Sequence, residues 1–189
     1  MRQSFSFKSI NLSRLVAWVL LPLLGIICGV QNNMLKNNYS DLRLDPTYSA
    51  VYLGMSLLMA LYYGLVLGYL IRKRKMIWGY YVLIIISFLL LIVGVAFPYS
   101  PQSSDILSLR HVDFVFLSMG IYIGVLIKYI TLDYKIFYFQ RTYLFIFILG
   151  TVVIFSFSLM VNSLLETWGM IGMSNLLNRL YEREKGFDI

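Results

Sequence analysis

Apolar residues in this chain run in long unbroken blocks, neither alternating with polar residues nor recurring at helical spacing. Five blocks are clear: Leu15–Val30, Ala50–Ile71, Met76–Phe97, Phe114–Leu132 and Thr142–Val161. A sixth, Leu164–Tyr181, is interrupted by Glu166, Asn175, Asn178 and Arg179. Each approximates the ~20 residues that cross ~30 Å of hydrocarbon. Backbone groups in lipid must be satisfied within the segment, so the blocks predict helices. A membrane barrel would instead show short alternating strands. The expected fold is therefore all-α: a polytopic transmembrane helix bundle of six spans, forming one domain over residues 1–189.

Composition strengthens this expectation. The 189 residues are 59% hydrophobic and 13% charged, with a mean hydropathy of +0.75, whereas soluble domains are roughly 45–50% apolar. The first block follows Arg2, Lys8 and Arg14 as a signal peptide would. Its end, "LGIICGVQNN", offers no small-x-small cleavage site, so a retained anchor is expected.

Charge then orients the spans. Arg2, Lys8 and Arg14 precede the first, Arg72, Lys73, Arg74 and Lys75 join the second and third, and Lys128, Lys135 and Arg141 flank the next hairpin. The alternate loops hold only Lys36, Arg43 and Arg110. The positive-inside rule puts the N-terminus in the cytoplasm. The sixth block is costly at a bilayer centre, and a flat interfacial helix is its alternative. Its polar residues lie toward its ends, however, and Arg179, Arg183 and Lys185 extend the cytoplasmic count to thirteen against three. Six spans with both termini cytoplasmic is the reading that follows. The "RKRK" at 72–75 is then a topology determinant near lipid headgroups. The chain offers no soluble basic face for nucleic acid.

Small residues suggest packing faces: Ser56, Ala60, Gly64 and Gly68 on the second span, Gly25 and Gly29 on the first, Gly120 and Gly124 on the fourth. Close helix contacts inside the bundle are expected, with a homo-oligomer face as the alternative. Trp78, Tyr80, Tyr81, Tyr134, Tyr138 and Trp168 read as interfacial anchors.

The chemical inventory is short. One histidine and one cysteine exclude the usual multi-histidine or multi-cysteine zinc sites, and Cys28 lies mid-span, where a thiol is inert. Neither a G-x-S-x-G elbow nor a phosphate-binding Gly-rich loop occurs. No catalytic residue, metal or cofactor is assigned. What remains is an outer-face constellation: Asp41, Arg43 and Asp45 from the first outer loop, Asp105, Arg110, His111 and Asp113 from the second, and Glu166 from the last turn. Such a set could bind a cation, a lipid headgroup or a peptide. It could equally be a solvated rim, in which Arg110 and Asp113 merely pair three residues apart. Pro98 should end the third helix. The stretch from Ser100 to Leu109 should fold back, and His111 should open the fourth helix close to Glu166.

An outer loop between spans one and two, Phe97–Pro98, His111 before the fourth span and Glu166 opening the last hairpin together resemble a bacterial six-helix membrane family of unknown function, itself distantly similar to DRAM-type membrane proteins. Tyr-Ser-Pro after Phe97–Pro98, where the family commonly has an acidic residue, departs from its pattern. The resemblance implies a site around Pro98, His111 and Glu166 and a role in lipid handling or membrane stress. Three functions follow in order. The first is a non-enzymatic plasma-membrane protein binding a lipid or another membrane protein at its outer face. The second is a small-solute transporter or its membrane substrate-binding subunit, and the third a lipid-modifying enzyme using His111. A transporter should carry polar groups near midplane, and the span centres read as apolar. Abundant Ile, Tyr, Phe, Asn and Lys point to a bacterial source.

Overall fold

The architecture comes from a computed structural model that describes residues 12–31, 33–97, 106–158 and 161–186, with Leu107 and Ser108 described by backbone alone. The described residues are helical, without strands. Five helices are long and apolar enough to cross a membrane: α1 (Leu12–Gln31), α2 (Ser49–Lys73), α3 (Gly79–Ala96), α4, whose apolar part is Leu109–Thr131, and α5 (Tyr134–Ser158). In full, α4 runs Ile106–Thr131. The sixth block forms α6 (Ser163–Glu184).

Helices α4 and α5 each begin eight residues before the blocks that predicted them, since a helix need not stop where its apolar stretch does. Consequently 106–109 is helical and does not fold back. His111 sits more than a turn inside α4 and does not open it. Helix α3 stops at Ala96, with Phe97 extended at φ −74°, ψ 138°. The residue before a proline is confined to that region; Pro98 itself and Asp105 lie outside the described residues.

Helix α6 is the least apolar helix and the most enclosed. Ser163, Ser174, Leu177 and Asn178 are each at most 1% exposed, packed chiefly by α1, α2 and α5. Its polar groups face protein, whereas α5 presents Phe145, Ile148 and Phe157, at 59–88% exposure, outward. Hydropathy alone underrates such a helix because it measures lipid-facing character. Mid-bundle, α3 and α4 exchange serine bonds, Ser87 Oγ donating to the Ser118 carbonyl at 2.9 Å and Ser118 Oγ to the Ser87 carbonyl at 2.7 Å. Such bonds help join helices that have no hydrophobic drive to associate in lipid.

The small-residue faces divide. A Cβ on Gly25 would clash with Met170 and one on Gly29 would meet Met34 at 2.6 Å, so this pair does bring elements close. Gly64, Gly68, Gly120 and Gly124 have nothing within 4 Å, which corrects the expectation of packing faces there within one chain. Two further glycines outside those faces are as closely packed, Gly150 against Trp168 and Gly172 against Phe147. Trp168 stacks on Phe147, its Nε1 donating to the Phe147 carbonyl at 3.1 Å. Trp78, Tyr134 and Tyr138 are 52–76% exposed, as anchors would be.

Candidate functional site

The start of α6 organises one end of the bundle. Four N–H groups opening a helix lack intrahelical partners. Here the Ser163 N–H donates to the Asn37 carbonyl at 2.7 Å and the Leu164 N–H to the Met34 carbonyl at 3.0 Å. The Leu165 N–H donates to the Asn162 side chain at 3.0 Å, and the first intrahelical bond follows, from the Glu166 N–H to the Asn162 carbonyl at 3.0 Å. The loop between α1 and α2 is thereby held over α6, and its next residues form a short 3₁₀ turn, Tyr39–Leu44.

Two predicted site residues grip that turn from opposite sides. Glu166 Oε2 accepts the Tyr39 N–H at 2.5 Å. His111, 4% exposed, reaches the next residue, its Nε2 lying 2.9 Å from Ser40 Oγ. Its Nδ1 lies 2.8 Å from the Gly94 carbonyl, which can only accept. Nδ1 therefore carries the proton, and in the neutral ring Nε2 accepts from the serine hydroxyl. His111 and Glu166 are thus joined through Tyr39 and Ser40, not to each other directly. The Tyr39 hydroxyl adds a third tie, donating to the Gly25 carbonyl at 2.8 Å and pairing with the Thr167 hydroxyl.

The remaining charges divide between the turn and the solvated rim. Asp41 Oδ2 accepts the Asn38 N–H at 3.0 Å, while its Oδ1 is buried without a hydrogen-bond partner among the described residues. Arg43 reaches Ser49 Oγ at 2.7 Å. Asp45 is exposed and accepts the Thr47 N–H at 2.8 Å. Arg110 and Asp113 pair at 3.6 Å with side chains 60% and 65% exposed, a contact of little energetic weight.

Burial pushes the Asp41 carboxyl above its ordinary 3.8, against the opposing effect of the Asn38 N–H. A carboxyl whose folded pKa is raised favours folding while protonated, and that contribution is lost as pH rises through the folded value. Asp41→Asn, which keeps an acceptor for Asn38, is expected to melt higher than wild type at neutral pH. The difference should close below pH 3.8, as thermal unfolding in detergent across pH would show; a constant gap would contradict it.

The opposite end is also polar. Arg14 Nε donates to Glu182 Oε1 at 2.7 Å. Arg74 bridges Glu184 at 2.6 Å and Asp133 at 3.5 Å, and the Tyr129 hydroxyl donates to Glu184 at 3.0 Å. Between the ends, the expectation of apolar span centres is not met. The Tyr63 hydroxyl donates to the Met170 carbonyl at 3.1 Å and lies 3.3 Å from Ser174 Oγ. Tyr143 donates to the Gly172 carbonyl at 2.8 Å; Gln140, nearer the arginine-rich end beside Arg179, is fully buried with Nε2 unpartnered among the described residues. The sequence signal for this polar interior is the mix of Ser, Asn and Arg along α6, which reads as a cost of insertion unless the helix is covered by its neighbours.

Five helices of spanning length and apolarity, with large aliphatic and aromatic side chains turned outward, define an integral membrane protein. No family model, curated protein or solved structure matches the chain.

Proposed function

We propose that this is a six-span protein of the plasma membrane, with both termini cytoplasmic, that acts without catalysis by presenting its outer cap to a lipid or a membrane partner. The observation that carries the reading is the engagement of His111. A general base needs an accessible nitrogen within reach of a substrate proton, whereas both nitrogens of this buried ring are bonded to the fold. The Tyr39–Leu44 turn, held by His111 and Glu166, then serves as a rigid outer platform with Leu44 exposed at its end. The resemblance to the bacterial six-helix family agrees with this in topology and in its emphasis on Pro98, His111 and Glu166.

Support for the sixth crossing is geometric. Helix α6 begins against the loop containing Asn37 and ends beside Arg14 and Arg74, at the arginine- and lysine-rich end. Reporter fusions after Lys75, Arg141 and Lys185 are expected to read cytoplasm, and fusions at Asn38 and Ser103 the outside. An outside reading at Lys185 would leave five spans. For the outer-face role, a photo-crosslinking residue at Leu44 or Leu109 should capture a lipid or membrane protein that one at Ile77 does not; equal capture at all three would remove it. The transporter reading keeps support from one feature, the mid-bundle pair of buried Ser174 and partly buried Tyr63, since midplane polar groups mark solute pathways.

A further inference from the structure

Near the arginine-rich end, α1 and α6 part to leave a groove of about 490 Å³. Arg14, Asn178, Arg179 and Glu182 line it with Trp18 and Val19. Of its three apolar residues, Leu15 among them, Trp18 and Val19 are each 49% exposed, on the side where α1 would meet lipid. Here α1 is widened by a π turn, Val16–Leu20, in which the Leu21 N–H bonds back five residues to the Val16 carbonyl. Pro22 follows and brings no N–H to the Trp18 carbonyl, which favours the irregular turn at this point. Single π turns recur at functional sites.

The charges in the groove do not cancel. Glu182 is taken by Arg14, so Arg179 supplies the net positive charge. Its guanidinium lies over the Phe139 and Tyr143 rings, 5.3 and 5.5 Å from their centroids. Its Nε donates to Gln140 Oε1 at 3.3 Å. The terminal NH₂ pair has no acceptor among the described residues. A guanidinium held by its Nε and by ring faces offers that pair as a preset fork, the arrangement that suits a phosphate.

We propose that this groove binds the phosphate of an anionic glycerophospholipid, Arg179 taking the phosphate oxygens while an acyl chain lies along Trp18 and Val19. The apolar wall selects a lipid over a free phosphate ester, and the volume lies within the range of small-molecule sites. Arg72, Lys73, Lys75 and Lys185 at the same end would draw anionic headgroups toward it. The proposal requires membrane embedding and is independent of the outer-face role.

The test is native mass spectrometry of the full chain in detergent, titrated with phosphatidylglycerol or with phosphatidylcholine of the same acyl chains. Wild type is expected to prefer phosphatidylglycerol, and Arg179→Gln to lose about fivefold of that preference. Val19→Trp, which fills the apolar wall without altering charge, should weaken binding of phosphatidylglycerol, and Arg141→Gln, an exposed change elsewhere at this end, should not. Excess glycerol 3-phosphate should fail to compete. All variants are compared at equal melting temperature, and wild-type preference in both Arg179→Gln and Val19→Trp would overturn the proposal. Competition by glycerol 3-phosphate would overturn it in favour of a soluble phosphate ester.

Discussion

His111→Ala is expected to cost about 2–3 kcal/mol of stability, because it removes a packed ring and two buried hydrogen bonds together. The Ser40 hydroxyl would lose its acceptor, and the Gly94 carbonyl would keep only the Phe97 N–H, 3.1 Å away. His111→Asn should recover part of the loss, since its amide can donate to Gly94 but is too short to reach Ser40 as well. Thermal unfolding in detergent reads both variants. If His111→Ala melts like wild type yet abolishes the cellular phenotype, the ring serves a ligand and not the fold. Glu166→Gln retains an acceptor for the Tyr39 N–H and should be milder.

The membrane fold was legible because bilayer thickness imposes a length on apolar segments, and five of the helices follow it. Helix α6 was harder. Its Ser174, Asn175 and Asn178 look expensive when lipid is the assumed surrounding, yet α1, α2 and α5 cover them. Helix ends were misjudged at α4 and α5 for a related reason: Ile106–Asp113 and Tyr134–Arg141 are helical but partly polar, so a hydropathy block starts late.

At the candidate site, residue types were readable and their partners were not. His111 and Glu166 stood out as the lone histidine and a lone acid at a helix start. Nothing in their spacing announced that Tyr39 and Ser40, seventy and more residues away from each, would stand between them. Arg110 and Asp113, neighbours on one helix, were the opposite case. Their pairing follows from helical geometry alone and is found at 3.6 Å. Contacts within a helix turn are legible from sequence; contacts across the bundle depend on how the helices pack.

The Arg14–Glu182 pair should show the largest dependence on a partner. Glu182 is 4% exposed at its side chain while Arg14 is 58% exposed, so the arginine reaches in from the rim to cover a carboxylate that water barely touches. Removing the partner of a buried charge costs about 3–5 kcal/mol. Here the open side of Arg14 admits some water, so Arg14→Leu is expected to cost about 2–3 kcal/mol. Changing both residues should recover most of the loss, since an apolar pair of similar volume often replaces a buried ion pair at little cost. The measurement is a double-mutant cycle over wild type, Arg14→Leu, Glu182→Met and the double variant, read by thermal unfolding in one detergent. Additive losses would mean that the two residues act separately and that Glu182 owes its burial to Asn178 and the closing turn of α6. A double variant near wild type would assign the pair the role of fastening the start of α1 to the end of α6, leaving Arg179 as the charge available to a ligand in the groove.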